Sequence, residues 1–452
     1  MRAVPAVTLL GLIPAVLGAQ GTSLASVVQR RTLENGLQVI VVEDHTSPLA
    51  AVVVAVRGGA FVQDSGRDGL AHLFEHLLFS GYHGDPARFG EEAAWIEGGY
   101  NGGTAEEYNE YILGVPSDKT AKAIGLLGDL MRHITITDRA VAAERPIVLN
   151  ELQRDLATPE EALSRDVDRA LWGSAWPWKD VGGDSTSLAR LGAAALQRAF
   201  GQYYVPNNMA LIVTGDVSAA QVFEDARREL GGWPAAPAPL AGRDTLIAPA
   251  PDQSSILVRA DAVQDVTVIV RVVGPAARTD TSGTYATEAL IDVLDDPTSA
   301  FQRLLVTQGP FESVDASFGV AAHGGAITFR GTLPSERAEE GIQELLGELD
   351  DVNLLRGVTD ADLATARRRG AVEEAMALDG GRGLAVRLAY WWGTAGLDYL
   401  LARRARRDAL TVSDLVRVAN RYVIQRPRSV GILAPPGTAD TLLTWLRKAF
   451  QH

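Results

Sequence analysis

Two histidines and a glutamate stand close together in the segment His72-Leu-Phe-Glu75-His76. Residues three and four positions apart share one face of a helix, so both imidazoles can bind one metal ion with Glu75 beside them. Glu75 can then take a proton from an attacking water without being a ligand itself. The alternative is a pair of core histidines hydrogen-bonded to neighbours, because apolar residues occupy the other faces of this helix. The spacing favours the metal.

A catalytic zinc site also needs a third protein ligand and an open position. The candidate ligands are Glu144 and Glu151, which are seven residues apart and therefore share a face of the helix predicted over Asp138–Leu156. One can bind the ion while the other orients a ligand. A solvated acidic face is the commoner arrangement for such glutamates, and periodicity alone leaves it open. Pro146 lies inside this segment and predicts a kink.

The other histidines have no partner at ligand spacing, so loop or surface positions are expected for all of them: His45, His83, His133, His323 and His452. The basic run Arg403–Arg407 predicts a solvated helix face. The chain contains neither a G-x-S-x-G sequence nor a P-loop. Their absence argues against a serine hydrolase and against a phosphate-binding enzyme.

The elements that would position these groups fall into two halves. Apolar periodicity predicts, for the first half, the strands Leu37–Glu43, Ala50–Arg57 and Tyr111–Val115 and the helices Gly69–Phe79, Ser117–His133, Asp138–Leu156, Leu188–Phe200 and Ser218–Leu230. It predicts, for the second half, the strands Ser255–Ala260, Val266–Val273, Glu312–Val320 and Ala326–Leu333, a helix over Thr284–Asp295, and mostly helix thereafter. Residues 233–251 are rich in proline and alanine and predict an interdomain linker.

A short repeat relates the two halves. Leu196–Tyr203 and Leu415–Tyr422 share the same spacing of Leu, Arg and Tyr, and an apolar strand follows each of them. This symmetry about the linker predicts an α+β fold of two homologous domains, each a mixed sheet packed with helices. The expected boundaries are 26–232 for the first, metal-binding domain and 252–452 for the second.

Charge and composition limit the partners and the location. The 452-residue chain carries a formal net charge of −14, which argues against nucleic acid or an anionic membrane surface. Arg2, an apolar run over Val7–Ala19 and small residues up to Ala25 predict a signal peptide at residues 1–25, hence a secreted or bacterial periplasmic protein. A buried N-terminal helix is the alternative. The chain has no cysteine, and no later segment is long and apolar enough to span a membrane.

Taken together, these motifs resemble the insulinase/pitrilysin family of zinc peptidases, which includes processing peptidases and bacterial periplasmic peptidases. The matching features are His72-x-x-Glu75-His76, the later pair Glu144 and Glu151, Asn101-x-x-Thr104 followed by Tyr111, and the run Tyr203–Met209. The resemblance extends over nearly the whole chain after the predicted signal peptide.

The resemblance implies two α+β domains that face each other across a chamber, with the site on the first. It also implies these roles: Zn²⁺ ligands His72, His76 and Glu151, general base Glu75, accessory carboxylate Glu144, and substrate contacts at Asn101 and Tyr111. Asn101 would hydrogen-bond the backbone of an extended peptide. A turn residue between glycines is the alternative for Asn101.

The expected function is therefore zinc-dependent endopeptidase activity on peptides or unfolded segments. Two departures from the family pattern qualify this expectation. Gly102 follows Asn101 where the family commonly has alanine. The second half also lacks the Arg and Tyr that grip substrate in active single-chain members, although Arg303 lies close to the expected position. This departure predicts a homologous partner chain, as a heterodimer or homodimer. A weak or inactive peptide-binding subunit of the same fold is the alternative.

Overall fold

The computed structural model describes residues 23–351, 354–378 and 381–449. His452 and nearly all of the predicted signal peptide therefore lie outside the described residues. The described chain forms two β-sheets covered by many helices, so the predicted α+β class is confirmed. Within these residues, none of the helices combines the length and the apolar character needed to cross a bilayer.

The first half carries one sheet and nine α-helices in the described residues. Strands β1 to β6 are Gln29–Thr32, Gln38–Glu43, Leu49–Val56, Gly99–Thr104, Asn109–Pro116 and Met209–Gly215. Helices α1 to α9 are Leu24–Val27, Leu70–Ser80, Arg88–Trp95, Thr120–Leu130, Asp138–Leu156, Pro159–Trp172, Ser185–Arg190, Ala193–Tyr203 and Ala219–Leu230. A 3₁₀ segment, Gly173–Trp178, follows α6.

The second half carries the other sheet. Strands β7 to β11 are Ser255–Ala260, Val266–Val273, Ser313–Phe318, Ala326–Leu333 and Arg428–Ala434. Helices α10 to α17 are Thr281–Leu294, Ala300–Gln302, Ala338–Asp350, Asp360–Leu378, Gly381–Thr394, Leu397–Asp408, Val412–Tyr422 and Pro436–Ala449. A π-helical turn, Arg303–Thr307, follows α11.

The two sheets have the same strand order once β1 is set aside. The first sheet runs β1-β2-β6-β3-β5-β4 and the second runs β7-β11-β8-β10-β9. In each, one parallel pair, β2–β6 or β7–β11, is followed by antiparallel pairs. The repeated segments lie in α8 and α16, and each precedes a strand at the same place in its sheet. Residues 233–251 contain no helix or strand, and we propose them as the boundary between two homologous domains, 26–232 and 252–452.

Both faces of the first sheet are covered, which explains the unbroken apolar run in β3. Val52 and Val54 belong to the core on the side of α2 and α4. Val53 points to the other face and belongs to a core shared with Leu388 and Trp392 of α14. A strand buried on both faces loses the usual alternation of apolar and polar residues.

The two halves exchange helices. Helix α14 of the second half packs on β3 and β6, and helix α6 of the first half packs on β11 and β8. Both contacts are close. A Cβ added at Gly431 in β11 would lie 2.3 Å from Val167 Cγ2, and one at Gly393 in α14 would lie 2.6 Å from Tyr108 Cγ. Glycine at these two positions allows each helix to approach the opposite half.

Buried polar contacts of Lys179 and Glu107 also join the halves. Lys179 Nζ is 2.8 Å from Glu106 Oε2 and donates to the Gly324 carbonyl at 2.5 Å. Glu107 Oε1 accepts from the His323 backbone N–H at 2.9 Å and lies 2.8 Å from its Nδ1. His323 lies in a turn, as expected, but it is buried there, with only 4% of its surface exposed.

Three further expectations need correction. The pattern does not predict α6, and it joins α7 and α8 into one helix. These helices are separate because Gly192 is extended and the Asp138 side chain caps Ala193 N at 2.9 Å. The basic run is only partly solvated: Arg403 and Arg407 point inward and pair with carboxylates of α10.

Candidate metal centre

Helix α2 carries the two histidines and the glutamate. It begins after Gly69, whose φ of +83° is left-handed. The buried Gln63 side chain accepts from Ala71 N at 3.0 Å and so holds the first turn. Apolar residues such as Leu73 and Leu77 are fully buried and fix the rotation of the helix. The polar face is thereby turned towards α5.

Helix α5 runs without a break from Asp138 to Leu156, with Pro146 inside it. The Thr137 side chain caps it by accepting from Ala140 N at 3.1 Å. The helix is thus not interrupted at Pro146, and Glu144 and Glu151 both reach His76. The predicted sharing of one helix face therefore agrees with the structure.

The structure brings His72, His76 and Glu151 together. Glu151 Oε2 is 3.7 Å from His72 Nε2 and 3.4 Å from His76 Nε2. The imidazole centroids are 5.0 Å apart, with the ring planes at 72°. One ligand atom from each residue lies within 4.8 Å of the others. Nitrogen and oxygen atoms bound tetrahedrally to one zinc ion at about 2.1 Å lie roughly 3.4 Å apart.

These residues fit a zinc ion by chemistry as well as by distance. His72 Nδ1 is buried and has no hydrogen-bond partner among the described residues. Burial lowers the pKa of His72, which favours the neutral imidazole that binds metal. Two imidazoles and one carboxylate leave a fourth tetrahedral position open, as in catalytic zinc sites.

Glu144 lies on the other side of His76. Its Oε2 is 3.6 Å from His76 Nδ1, while Nε2 of the same ring faces Glu151. The contact with Glu144 raises the pKa of His76, and the same contact lowers the pKa of Glu144. A carboxylate at this nitrogen fixes the ring orientation and makes the other nitrogen a better ligand.

Glu75 is held by the neighbouring edge strand. Its Oε2 accepts from Thr104 Oγ1 at 2.8 Å, and Thr104 Oγ1 accepts from Asn109 Nδ2 at 2.7 Å. Gly102 lies directly opposite, where an added Cβ would be 2.9 Å from Glu75 Oε1. The absence of a side chain at Gly102 therefore leaves room for this position of the carboxylate.

A cleft of about 810 Å³ opens at the histidines. Its walls are β4, the end of α5, α6 and the segment after α6, and all of its lining residues lie between His72 and Gly182. Asp180 is buried in the wall and bound by Arg165 at 2.9 and 2.6 Å. Burial raises the pKa of Asp180 to about 6 and also raises that of Asp168.

Glu110 is a further carboxylate near the site that the sequence analysis does not single out. It lies in β5 opposite Gly103 of β4, and its Oε2 is buried with no hydrogen-bond partner in the described part of the chain. Burial, and then the charge of Glu75, raise the pKa of Glu110 to about 7. The signal available in the sequence was that Glu110 lies in a strand of apolar residues, where alternation assigns its side chain to one face of the sheet.

Of the two expected substrate contacts, the structure places Asn101 at the cleft and Tyr111 in the core. Asn101 is exposed on β4 and lines the cleft. Tyr111 is fully buried, its hydroxyl 2.7 Å from that of Tyr204, and it does not line the cleft. Direct contact between Tyr111 and substrate is thus not supported, because this side chain packs under α2 against Phe79.

Arg303 does not reach the cleft. Its guanidinium bonds the Thr298 carbonyl within its own half, so it does not replace the missing substrate-gripping residues in this conformation.

Two histidines expected to stand alone do come together: His83 and His133 both lie 2.7 Å from Asp129. They are far apart in sequence, so no spacing rule could have paired them.

Fold and site together define a two-domain α+β protein whose first domain carries a His-x-x-Glu-His helix facing a carboxylate-bearing helix. Residues 38–175 match the model described as Insulinase (Peptidase family M16), and residues 190–369 match Peptidase M16 inactive domain. The chain belongs to this family.

Individual relatives cover the chain to different extents. The mitochondrial-processing peptidase subunit beta of Blastocladiella emersonii is 26% identical over 427 residues, 89% of this chain and 88% of that protein. Human cytochrome b-c1 complex subunit 1 is 26% identical over 217 residues, and the match spans 48% of this chain and about half (45%) of the relative. A protease from Helicobacter pylori has a similar fold, with a TM-score of 0.76 at 22% identity over 90% of this chain and 99% of that chain.

Proposed function

We propose that this protein is a zinc-dependent endopeptidase that hydrolyses peptides or unfolded segments. The observation that carries the proposal is the convergence of His72, His76 and Glu151 at ligand-to-ligand distances of 3.4 and 3.7 Å, with Glu75 beside them. Membership of a peptidase family supports the same reaction class.

In this proposal each residue has a separate task. Zinc, when bound by His72, His76 and Glu151, acts as a Lewis acid that acidifies water and polarises a carbonyl. Glu75 accepts the proton of the attacking water and later delivers it to the leaving amine. Thr104 holds the Glu75 carboxylate at 2.8 Å, and Glu144 orients the ring of His76.

The edge strand β4 provides a route for holding substrate. It pairs only with β5 among the described strands, so its other edge can accept an extended peptide as an added strand. Asn101 lies on this strand and lines the cleft. We propose Asn101 as a substrate contact and Tyr111 as a core residue that supports α2.

We further propose that a homologous partner chain completes the enzyme. Arg303 bonds Thr298 within its own half, and the described residues that line the cleft all belong to the first half. Cleavage needs the peptide positioned at the metal as well as the chemistry. Two relatives are named as subunits, which supports a two-chain arrangement. A non-catalytic peptide-binding subunit is the alternative.

We propose export to the periplasm or the exterior after cleavage of a signal peptide within residues 1–25. The order of charged, apolar and small residues at the N-terminus supports this location. Mass spectrometry of the protein from its native host should find a mature chain that begins between Ala19 and Ala25. An intact Met1 would refute export by this route.

The decisive experiment measures metal and peptidase activity on the same sample. We expect zinc in the purified protein, cleavage of a diverse peptide library, and loss of both with a chelator. His76→Ala should lack the corresponding zinc equivalent and the activity. Zinc without cleavage, even with a co-expressed homologous chain, would favour the non-catalytic alternative.

A further inference from the structure

A second group of two histidines and one carboxylate lies apart from the centre described above. His83 follows α2, Asp129 lies in α4, and His133 comes one helical turn after Asp129. Asp129 Oδ2 is 2.7 Å from His83 Nε2, and its Oδ1 is 2.7 Å from His133 Nδ1. One ligand atom from each residue lies within 4.8 Å of the others.

The backbone fixes this arrangement. Tyr82 and Ile134 form an antiparallel bridge, and His83 N donates to the His133 carbonyl at 2.8 Å. His83 has a φ of +49°, a left-handed conformation that histidine adopts at an energetic cost and that often marks functional sites. The two imidazoles stack with centroids 5.1 Å apart and planes at 18°. Both rings therefore stand on the same side of the carboxylate.

The carboxylate is oriented from beneath. The Tyr82 hydroxyl donates to Asp129 Oδ2 at 2.7 Å, and the Tyr82 ring is buried. The Tyr82 hydroxyl therefore holds the Asp129 carboxylate in place, as outer-shell partners do for known metal ligands.

We propose that His83, Asp129 and His133 form a second divalent-metal site, with Zn²⁺ as its occupant. Imidazole nitrogens with one carboxylate oxygen suit zinc and related first-row cations. Small rotations of the three side chains would widen these contacts to the roughly 3.4 Å that separates ligand atoms around one zinc ion. The ion would join the segment after α2 to the end of α4. The proposal does not depend on zinc at His72 or on peptidase activity.

The test is a zinc titration of metal-free protein against a chromophoric chelator, with three single variants. We expect two equivalents of zinc for the parent and one for His133→Ala. The His133 side chain is half-exposed in the native chain, so this variant should fold normally. His76→Ala should also bind one equivalent. His45→Ala is the matched control: His45 is an exposed histidine paired with an aspartate, Asp216, at 2.7 Å. It should retain two equivalents.

A second measurement separates this site from the proposed catalytic centre. In a His76→Ala background, added zinc should raise the melting temperature, and adding His133→Ala should abolish the rise. Tyr82→Phe should weaken zinc binding at this site about tenfold by releasing Asp129.

Equal zinc stoichiometry in the parent and His133→Ala, with equal thermal shifts, would overturn the proposal. A single parental equivalent removed by His76→Ala would also overturn it while supporting the proposed function. A single parental equivalent removed by His133→Ala would support the second site and contradict zinc binding at His72, His76 and Glu151.

Discussion

Replacing Glu75 by glutamine should remove a proton acceptor and little else. The side chain is half-buried, and its Oε2 accepts one hydrogen bond, from Thr104 at 2.8 Å. Glutamine has nearly the same volume and an amide oxygen that accepts the same bond. We therefore expect the melting temperature to change by no more than about 2 °C and the zinc content to stay at the parental level.

The catalytic cost should be large. A positioned general base contributes about 10²–10⁴-fold, equivalent to about 2.7–5.4 kcal/mol in the activation barrier. Because the base acts on the proton only in the transition state, kcat should fall by that factor while KM changes little. The assay is steady-state cleavage of a fluorogenic peptide, with zinc measured on the same preparation and a homologous chain supplied if one is required.

Glu91→Gln is the control, since Glu91 is an exposed carboxylate on α3 and does not line the cleft. It should cleave at the parental rate. A Glu75→Gln protein that holds zinc and cleaves within threefold of the parent would refute the base assignment. Loss of zinc from that variant would instead identify Glu75 as a ligand.

Three further predictions concern the supporting residues. Glu144→Gln should weaken zinc binding about 10–100-fold in a competition titration; unchanged affinity would mean that Glu144 does not orient the ligand ring. Glu110→Gln should raise the melting temperature at pH 8 but not at pH 4.5. Burial raises the pKa of Glu110 to about 7, so from pH 4.5 upward the folded state retains a proton that the unfolded state releases, and stability falls until about pH 7. Equal effects at both pH values would contradict this explanation. Gly431→Ala should cost about 1–3 kcal/mol in the free energy of unfolding, because the new methyl group meets α6. Gly437→Ala, with no atom within 4 Å, should not destabilise the protein in the same denaturant titration, because alanine is the better helix former.

The sequence could predict the candidate metal centre because its chemistry is local. Three of the four key residues lie within one helix, and Glu144 and Glu151 lie seven residues apart in another, so helical periodicity alone places each set on one face. The pairing of the two helices could not be derived in this way. It came from the resemblance to a family, and the structure now gives the distances between them.

Other features depend on contacts between distant segments, which periodicity does not report. The approach of His83 to His133 needs the Tyr82–Ile134 bridge. The burial of Tyr111 is an exception, because strand alternation places it on the same face as the other odd-numbered apolar residues of β5. Those residues share a core with α2. The buried pairs of Arg403 and Arg407 are different: a basic run has the same appearance in sequence whether its arginines face water or carboxylates of another helix.

During synthesis the first sheet emerges long before α14, the helix that covers one of its faces. Val53 and Ile212 of that face, with their apolar neighbours, stay exposed to solvent until the second half has been made. A fragment ending near residue 232 would keep the proposed metal ligands yet expose this face, and we expect it to aggregate. The two proposed domains on either side of residues 233–251 therefore depend on each other for burial, and we expect them to unfold in one cooperative transition.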